Sequence, residues 1–252
     1  MKNMLSLKNV SYSYHSLSGE TKALSDVSFD VKAGQFVSIV GPSGCGKSTL
    51  LSLISGILKP ESGSIYINDI PADKSYLHIG HMLQKDNLFE WRSIYRNVLL
   101  GLEIQKKCTP SKLTLVNKML DSYGLSQFKD SKPSQLSGGM RQRAALIRTL
   151  ALEPDILLLD EPFSALDYQT RLEVSDDIGR IIKEQQTTAV LVTHDISEAI
   201  SMGDTVIVLS HRPGTVTKII DINLSIKNRT PFNSRTAPEF KDYFNMIWKE
   251  LE

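Results

Sequence analysis

A chain of 252 residues with 41% apolar side chains is long enough for one large α/β domain, or a core with a subdomain. Its 29 basic and 28 acidic side chains leave a formal net charge of +1, which excludes a general electrostatic drive toward nucleic acid or anionic lipid; any anion site must be local. The cysteines, Cys45 and Cys108, are far apart and form no Cys-x-x-Cys pair, which argues against a disulfide framework or zinc site and fits a reducing cytosol.

The opening stretch, Met1 to Ser6, returns to polar residues before an apolar run develops, so no secretory signal is expected. Val27, Phe29 and Val31 alternate with polar neighbours, as do Ile65 and Ile67, and predict half-buried antiparallel strands. Phe36 to Val40, Ile156 to Leu159, Thr188 to Val192 and Thr205 to Leu209 are short, nearly continuous apolar runs rich in β-branched residues. These predict strands buried on both faces, forming a central, mainly parallel sheet. Between the second and third of them, Val174, Ile178, Ile181 and Ile182 make one helical stripe, completing a βαβ unit. From Asp86 to Ser134 no buried strand is evident, and helical stretches such as Lys112 to Leu120 are broken by Pro110, Gly124 and Pro133, which predicts an inserted helical subdomain. After Asp221, the proline-punctuated segment Asn228 to Pro238 precedes Phe240, Tyr243, Phe244, Ile247, Trp248 and Leu251 at helical spacing. This amphipathic helix is expected to pack on the chain's own core, a partner surface being the competing expectation. No apolar run approaches the roughly 20 residues of a spanning helix, so work at a membrane would require docking on another protein.

Three motifs carry chemistry. Gly41-Pro42-Ser43-Gly44-Cys45-Gly46-Lys47-Ser48, running on into Thr49, has the spacing of a phosphate loop and follows a predicted strand. Its glycines let backbone N–H groups turn inward around phosphate oxygens, Lys47 reaches the β- and γ-phosphates, and Ser48 offers a hydroxyl to Mg²⁺. Asp160-Glu161 ends a buried strand; Asp160 is placed to hold Mg²⁺ and Glu161 to orient or deprotonate an attacking water. Leu136-Ser137-Gly138-Gly139-Met140 precedes the helical run Arg141 to Ala151, with Ser137 as N-cap and Gly138 and Gly139 opening a second anion-binding helix start.

The ordered set of these three motifs, completed by His194 after a buried strand, resembles the nucleotide-binding subunit of an ABC transporter over nearly the whole chain. The resemblance implies a P-loop NTPase core with a mainly parallel central sheet, an N-terminal antiparallel β-subdomain and an inserted α-helical subdomain. Residues 1–85 and 135–221 would form the core with its β-subdomain, 86–134 the helical subdomain and 222–252 a tail ending in the amphipathic helix. It implies ATP and Mg²⁺ as cofactors and a homodimer that sandwiches ATP, in which Ser137 to Gly139 touch the γ-phosphate held by the opposite subunit. Gln84 resembles the Q-loop residue that touches Mg²⁺ or the attacking water, His194 the switch histidine, and Ser164 to Asp167 the D-loop that crosses the dimer interface at Asp167. Tyr14 occupies the place of the adenine-stacking aromatic, with Tyr12 the competing choice. Met140 stands where most family members have Gln, a departure that leaves Ser137, Gly138 and Gly139 intact.

Asn87 to Arg92, with its Leu-x-x-Trp pattern, and His211-Arg212-Pro213-Gly214 resemble segments of nitrate, sulfonate and taurine importer ATPases, and importers of vitamin precursors share such segments. The resemblance therefore implies an importer subunit at the cytoplasmic face of the membrane, working beneath separate permease subunits that an extracytoplasmic solute-binding protein supplies. Phe89 and Trp91 become candidates for the surface that receives the permease, burial in the subdomain being the competing expectation. A chromosome-maintenance ATPase would need a long coiled coil where only about 50 residues separate Gln84 from Leu136. A soluble translation-associated ABC protein would usually carry two cassettes, and a small-molecule kinase would leave Leu136 to Gly139 and His194 unexplained.

Overall fold

The computed structural model describes residues 2–17, 19–72 and 79–252. Among them, β1 (Asn3–Ser16), β2 (Gly19–Lys32), β4 (Ser62–Ile67) and β5 (Ile70–Pro71) form an antiparallel sheet in the order β2-β1-β4-β5. Leu5 and Leu7 pair with Ile67 and Ile65, and all four are buried with Val27, Phe29 and Val31. The alternation then slips: Asn9 has φ 51°, the register shifts between Leu7 and Val10, and Val10 becomes the next inward residue. Tyr14 emerges near the strand end, 46% exposed.

The larger sheet holds β3 (Phe36–Val40), β6 (Ile79–Met82), β7 (Ile156–Asp160), β8 (Thr188–Thr193), β9 (Thr205–Leu209) and β10 (Val216–Asp221), in the order β10-β9-β3-β8-β7-β6. All neighbours are parallel except β10, which lies antiparallel along β9. Coverage on both faces explains the continuous apolar runs of β3, β7, β8 and β9. On one face Val37, Ile39, Ile156, Leu158, Val190 and Val192 meet the smaller sheet and α1 (Lys47–Ile54). On the other, Phe36, Leu157, Leu159, Ala189 and Leu191 share a core with α2 (Ile94–Ile104), α3 (Pro110–Ser122), α4 (Gly138–Leu150) and α5 (Tyr168–Glu184).

Residues 86–134 contain α2, α3 and a short 3-10 turn, Ser126–Phe128, with no strand, and a second turn, Pro133–Gln135, crosses their end. Their buried side chains, Val98, Leu102, Val116 and Leu120 among them, join the core that holds α4 and the sheet rather than forming one of their own. A third cluster joins α6 (Ile196–Met202) to β9 and α8 (Phe240–Leu251), where Ile247 is wholly buried and Phe240, Tyr243 and Phe244 pack beside it. The last helix thus lies on its own chain. Before it, α7 (Pro231–Ser234) sits against α5, where a Cβ added at Gly179 would meet the Pro231 ring at 2.8 Å. No described helix is long and apolar enough to cross a membrane. Because β3, β8 and β7 are parallel neighbours, the segments that follow them leave from one edge of the sheet, where ligand crevices of open α/β sheets form.

Candidate functional site

Gly44 and Gly46, in the turn from β3 to α1, have φ 75° and 106°, a region other residues enter at a cost. Gly41 is fixed by crowding instead: an added Cβ would lie 2.7 Å from Cys45 Sγ. Cys45 is buried and burial pushes its thiol pKa up, so it packs as a small apolar residue within the loop. Lys47, only 7% exposed, donates to the carbonyls of Gly41 at 2.7 Å and Pro42 at 3.0 Å. The start of α1 therefore presents turned-in backbone and one enclosed cation, the makings of an anion cradle.

Ser48 Oγ donates to Asp160 Oδ1 at 3.2 Å, joining the cradle to the end of β7. Burial pushes the Asp160 carboxyl up, with the Ser48 hydrogen bond opposing. Glu161 turns away from the strand at φ 43°; its N–H donates to Val192 O at 2.9 Å, and its Oε2 lies 3.0 Å from His194 Nδ1. Lys47, Ser48, Glu161 and His194 line a cleft of about 570 Å³ together with Tyr14, Ser43 and Arg212, and Asp160 lies behind Ser48. Tyr14 enters the cleft with its hydroxyl 3.0 Å from Thr49 Oγ1. Tyr12 meets that ring edge-on at 5.1 Å and packs into the core below, which leaves Tyr14 as the aromatic that offers surface to a ligand.

Ser137, Gly138, Gly139, Gln84 and Asp167 do not line this cleft. Ser137 is exposed and caps α4, accepting from Met140 N at 3.3 Å. A Cβ added at Gly139 would lie 2.9 Å from methyls of Thr170 and Val174, and one at Gly138 would lie 3.0 Å from Leu166, so the two glycines let α4 start tight against α5 and the loop before it. Gln84 Nε2 donates to Ser164 Oγ at 3.3 Å, and Ser164 Oγ donates to Glu161 O at 3.0 Å. Gln84 and Gly138 instead share a second cleft of about 360 Å³ with Glu90 and Arg141. Asp167 caps α5 by accepting from Thr170 N at 3.1 Å, and hydrogen bonds from the Thr170 side chain and then its backbone hold the Asp167 carboxyl below the usual range.

Three residues near the site had no signal in the sequence. Arg212 was visible only as part of a turn, yet it lines the larger cleft. Arg171, inside α5, donates to Leu166 O at 3.2 Å and lies 3.5 Å from Asp195 Oδ2 and 3.8 Å from Glu198 Oε1, tying the loop before α5 to the segment after His194. Asn97 is wholly buried on α2; its amide donates to the carbonyls of Phe89, Arg92 and Ser93, and its oxygen accepts from Phe89 N at 2.7 Å. An Asn on an apolar helix face carries no mark of such a clamp.

The cleft can hold a polyphosphate against backbone N–H groups and Lys47, beside a carboxylate and an imidazole able to handle a proton. Among the described residues no group of three or more His, Cys, Asp or Glu side chains could hold a metal by itself. The neighbouring oxygens of Ser48 and Asp160 nevertheless fit Mg²⁺, which takes one or two protein oxygens and completes its shell with nucleotide phosphates and water.

Comparison with known proteins agrees with this geometry. The ABC transporter family matches residues 24–164. The chain is 47% identical over 249 residues to the uncharacterized ABC transporter ATP-binding protein YtlC of Bacillus subtilis, covering 99% of this chain and 96% of that protein. It is 38% identical over 255 residues to the taurine import ATP-binding protein TauB of Roseobacter denitrificans, covering 97% and 94%. Among solved structures, the dimeric post-hydrolysis state of the ATP-binding cassette MJ0796 bound to ADP and Pi superposes with a TM-score of 0.74 at 33% identity, covering 87% of this chain and 99% of that one. The chain belongs to the ATP-binding subunits of the ABC transporter family and is an ATP hydrolase.

Proposed function

We propose that the chain drives an importer for a small anion of the nitrate, sulfonate or taurine type. The observation that carries the ATPase part is the cleft itself, where a phosphate cradle, Glu161 and His194 meet. Support for the importer branch comes from the Leu88 to Trp91 segment, the Arg212 to Gly214 turn, and the likeness to a protein named for taurine import.

In this reading Tyr14 stacks on adenine, which stacking on an aromatic face would stabilise by about 1–3 kcal/mol. The backbone of Gly41 to Gly46, with Lys47, Ser48 and Thr49, holds the phosphates. Ser48 and Asp160 would hold Mg²⁺, whose charge would offset that of the phosphates, with Gln84 as the Q-loop residue that would reach Mg²⁺ or the attacking water. Glu161 takes the proton of the attacking water and His194 steadies Glu161 and the γ-phosphate. Two copies face each other so that Ser137, Gly138 and Gly139 of each close the cleft of the other, with Asp167 in the interface. In support, Ser137 is exposed on its own chain and outside that chain's cleft, and the MJ0796 cassette is a dimer.

Residues 86–134 act as the helical subdomain on the core of 1–85 and 135–221, with 222–252 as the tail. Phe89 and Trp91, 36% and 72% exposed with rings 4.6 Å apart, form an aromatic platform beside the Gln84 cleft for the permease. Their exposure favours the docking reading over burial in the subdomain. The chain would lie on the cytoplasmic face of the membrane, with an extracytoplasmic protein delivering solute to the permease. The test is to purify the chain from detergent-solubilised membranes, identify what accompanies it, and measure taurine, sulfonate and nitrate uptake in cells carrying only the Lys47→Ala chain. A co-purifying permease and loss of uptake of one of these anions support the reading. Undiminished uptake of all three overturns the solute class, and absence of any permease overturns the transport role.

A further inference from the structure

The turn between β9 and β10 is held against the nucleotide cleft from two sides. Gly214 N donates to Ala23 O at 2.9 Å, and Ser25 N donates to Gly214 O at 3.0 Å, so the turn extends the edge of β2. Below, Gly214 sits against the phosphate loop so closely that an added Cβ would lie 2.2 Å from Cys45 O. Ser210 Oγ closes the turn from within, donating to the carbonyls of His211 and Pro213. Arg212 therefore rides on a fixed backbone and lines the cleft together with Tyr14 and Ala23. Among the described residues it has no ion pair and no side-chain hydrogen bond, although a guanidinium carries five donors.

We infer that Arg212 is a nucleotide-binding residue that contacts the base end of the ligand, opposite the phosphates held by Lys47. The turn is tied to Ala23, which follows the Thr21–Lys22 stretch paired with Tyr14 and Ser13 and whose carbonyl also faces Gly46, so Arg212 stands between Tyr14 and the phosphate loop, and the phosphate end is already served by Lys47, Ser48 and the loop backbone. A planar guanidinium suits that place: it can lie over a purine face and donate to the acceptors on its edge, which a lysine ammonium cannot do together. The inference rests on the cleft binding ATP, and the experiment separates the two.

A non-hydrolysable ATP analogue, the matching GTP analogue and inorganic tripolyphosphate are titrated calorimetrically, with Mg²⁺, into the full chain and into its Arg212→Ala, Arg212→Lys and Lys47→Ala variants. Arg212→Ala is expected to weaken the ATP analogue about 2- to 30-fold, the span of a cation–π contact from exposed to desolvated, and to leave tripolyphosphate unchanged. Arg212→Lys should recover only part of the loss, and the ratio of ATP-analogue to GTP-analogue affinity should change in both variants. Equal weakening of the analogues and tripolyphosphate would place the cation on the phosphates and overturn the inference, as would unchanged affinities and an unchanged ratio. Wild-type binding of all three ligands by Lys47→Ala would instead overturn the nucleotide cleft on which it rests.

Discussion

Replacing Glu161 with Gln isolates the proton-accepting role of one side chain. The amide has the carboxylate's shape, keeps a polar atom facing His194 Nδ1 across 3.0 Å, and bears the φ of 43° as Glu does. With the side chain partly exposed, the change in stability should stay within about 0.5 kcal/mol, or about 1–2 °C in Tm for a domain of this size. Loss of the base should instead slow hydrolysis by about 10²–10⁴-fold, which at 1.36 kcal/mol per tenfold is about 2.7–5.4 kcal/mol of barrier. The gap between these magnitudes is the diagnostic. Single-turnover hydrolysis should fall while ATP affinity holds, because Lys47, Ser48 and the loop backbone are untouched. ATP should then accumulate in a closed dimer measurable by light scattering, and adding Ser137→Arg should prevent that dimer. A Glu161→Gln chain turning over within threefold of wild type would refute the base assignment. A dimer indifferent to Ser137→Arg would refute the shared site.

Gly139→Ala places a methyl 2.9 Å from both Thr170 and Val174, and the overpacking should cost about 1–3 kcal/mol; a chain melting within 1 °C of wild type would show that α4 and α5 part freely. Replacing Phe89 and Trp91 together with Ala should leave basal ATPase and Tm nearly intact while reducing stimulation by the permease, since both rings are exposed; collapse of basal activity with stability would mark them as structural. Glu198, whose carboxyl burial holds above its ordinary 4.5, binds more protons folded than unfolded as pH rises through that value toward its raised pKa. Its contribution to stability is therefore present at low pH and lost across that window, so the stability of wild type relative to Glu198→Gln should decline there; a difference independent of pH would remove Glu198 as the cause.

The central strands were legible because a strand covered on both faces has no polar side to write into its sequence. Phe36 to Val40 and Thr205 to Leu209 coincide with β3 and β9, and β7 and β8 each extend one residue beyond the predicted runs. β1 was harder to read, since the turn at Asn9 moves the buried set from Leu5 and Leu7 to Val10 and breaks a period of two. On α2 the stripe of Ile94, Val98 and Leu102 is interrupted by the buried Asn97, which works on the neighbouring loop rather than in the apolar core. The phosphate loop is one continuous stretch with its own spacing, and Asp160-Glu161 could be singled out only because the pair ends a buried strand in a chain that also carries that loop. Arg212 and Arg171 gain their places from contacts across more than one element, information that no local pattern contains.

The core shared by residues 86–134 and the central sheet bears on how force crosses the protein. Cut out by itself, this stretch would carry Val98, Leu102, Val116 and Leu120 into water, without α4 to cover them. It therefore shares one buried core with the strands that lead to Asp160 and His194. Close-packed interiors yield by sliding between a few well-filled arrangements. A push on the loop at Phe89 and Trp91 would reach the strand ends as a small shear of side chain over side chain, carried by repulsion and dispersion through the whole width of the core.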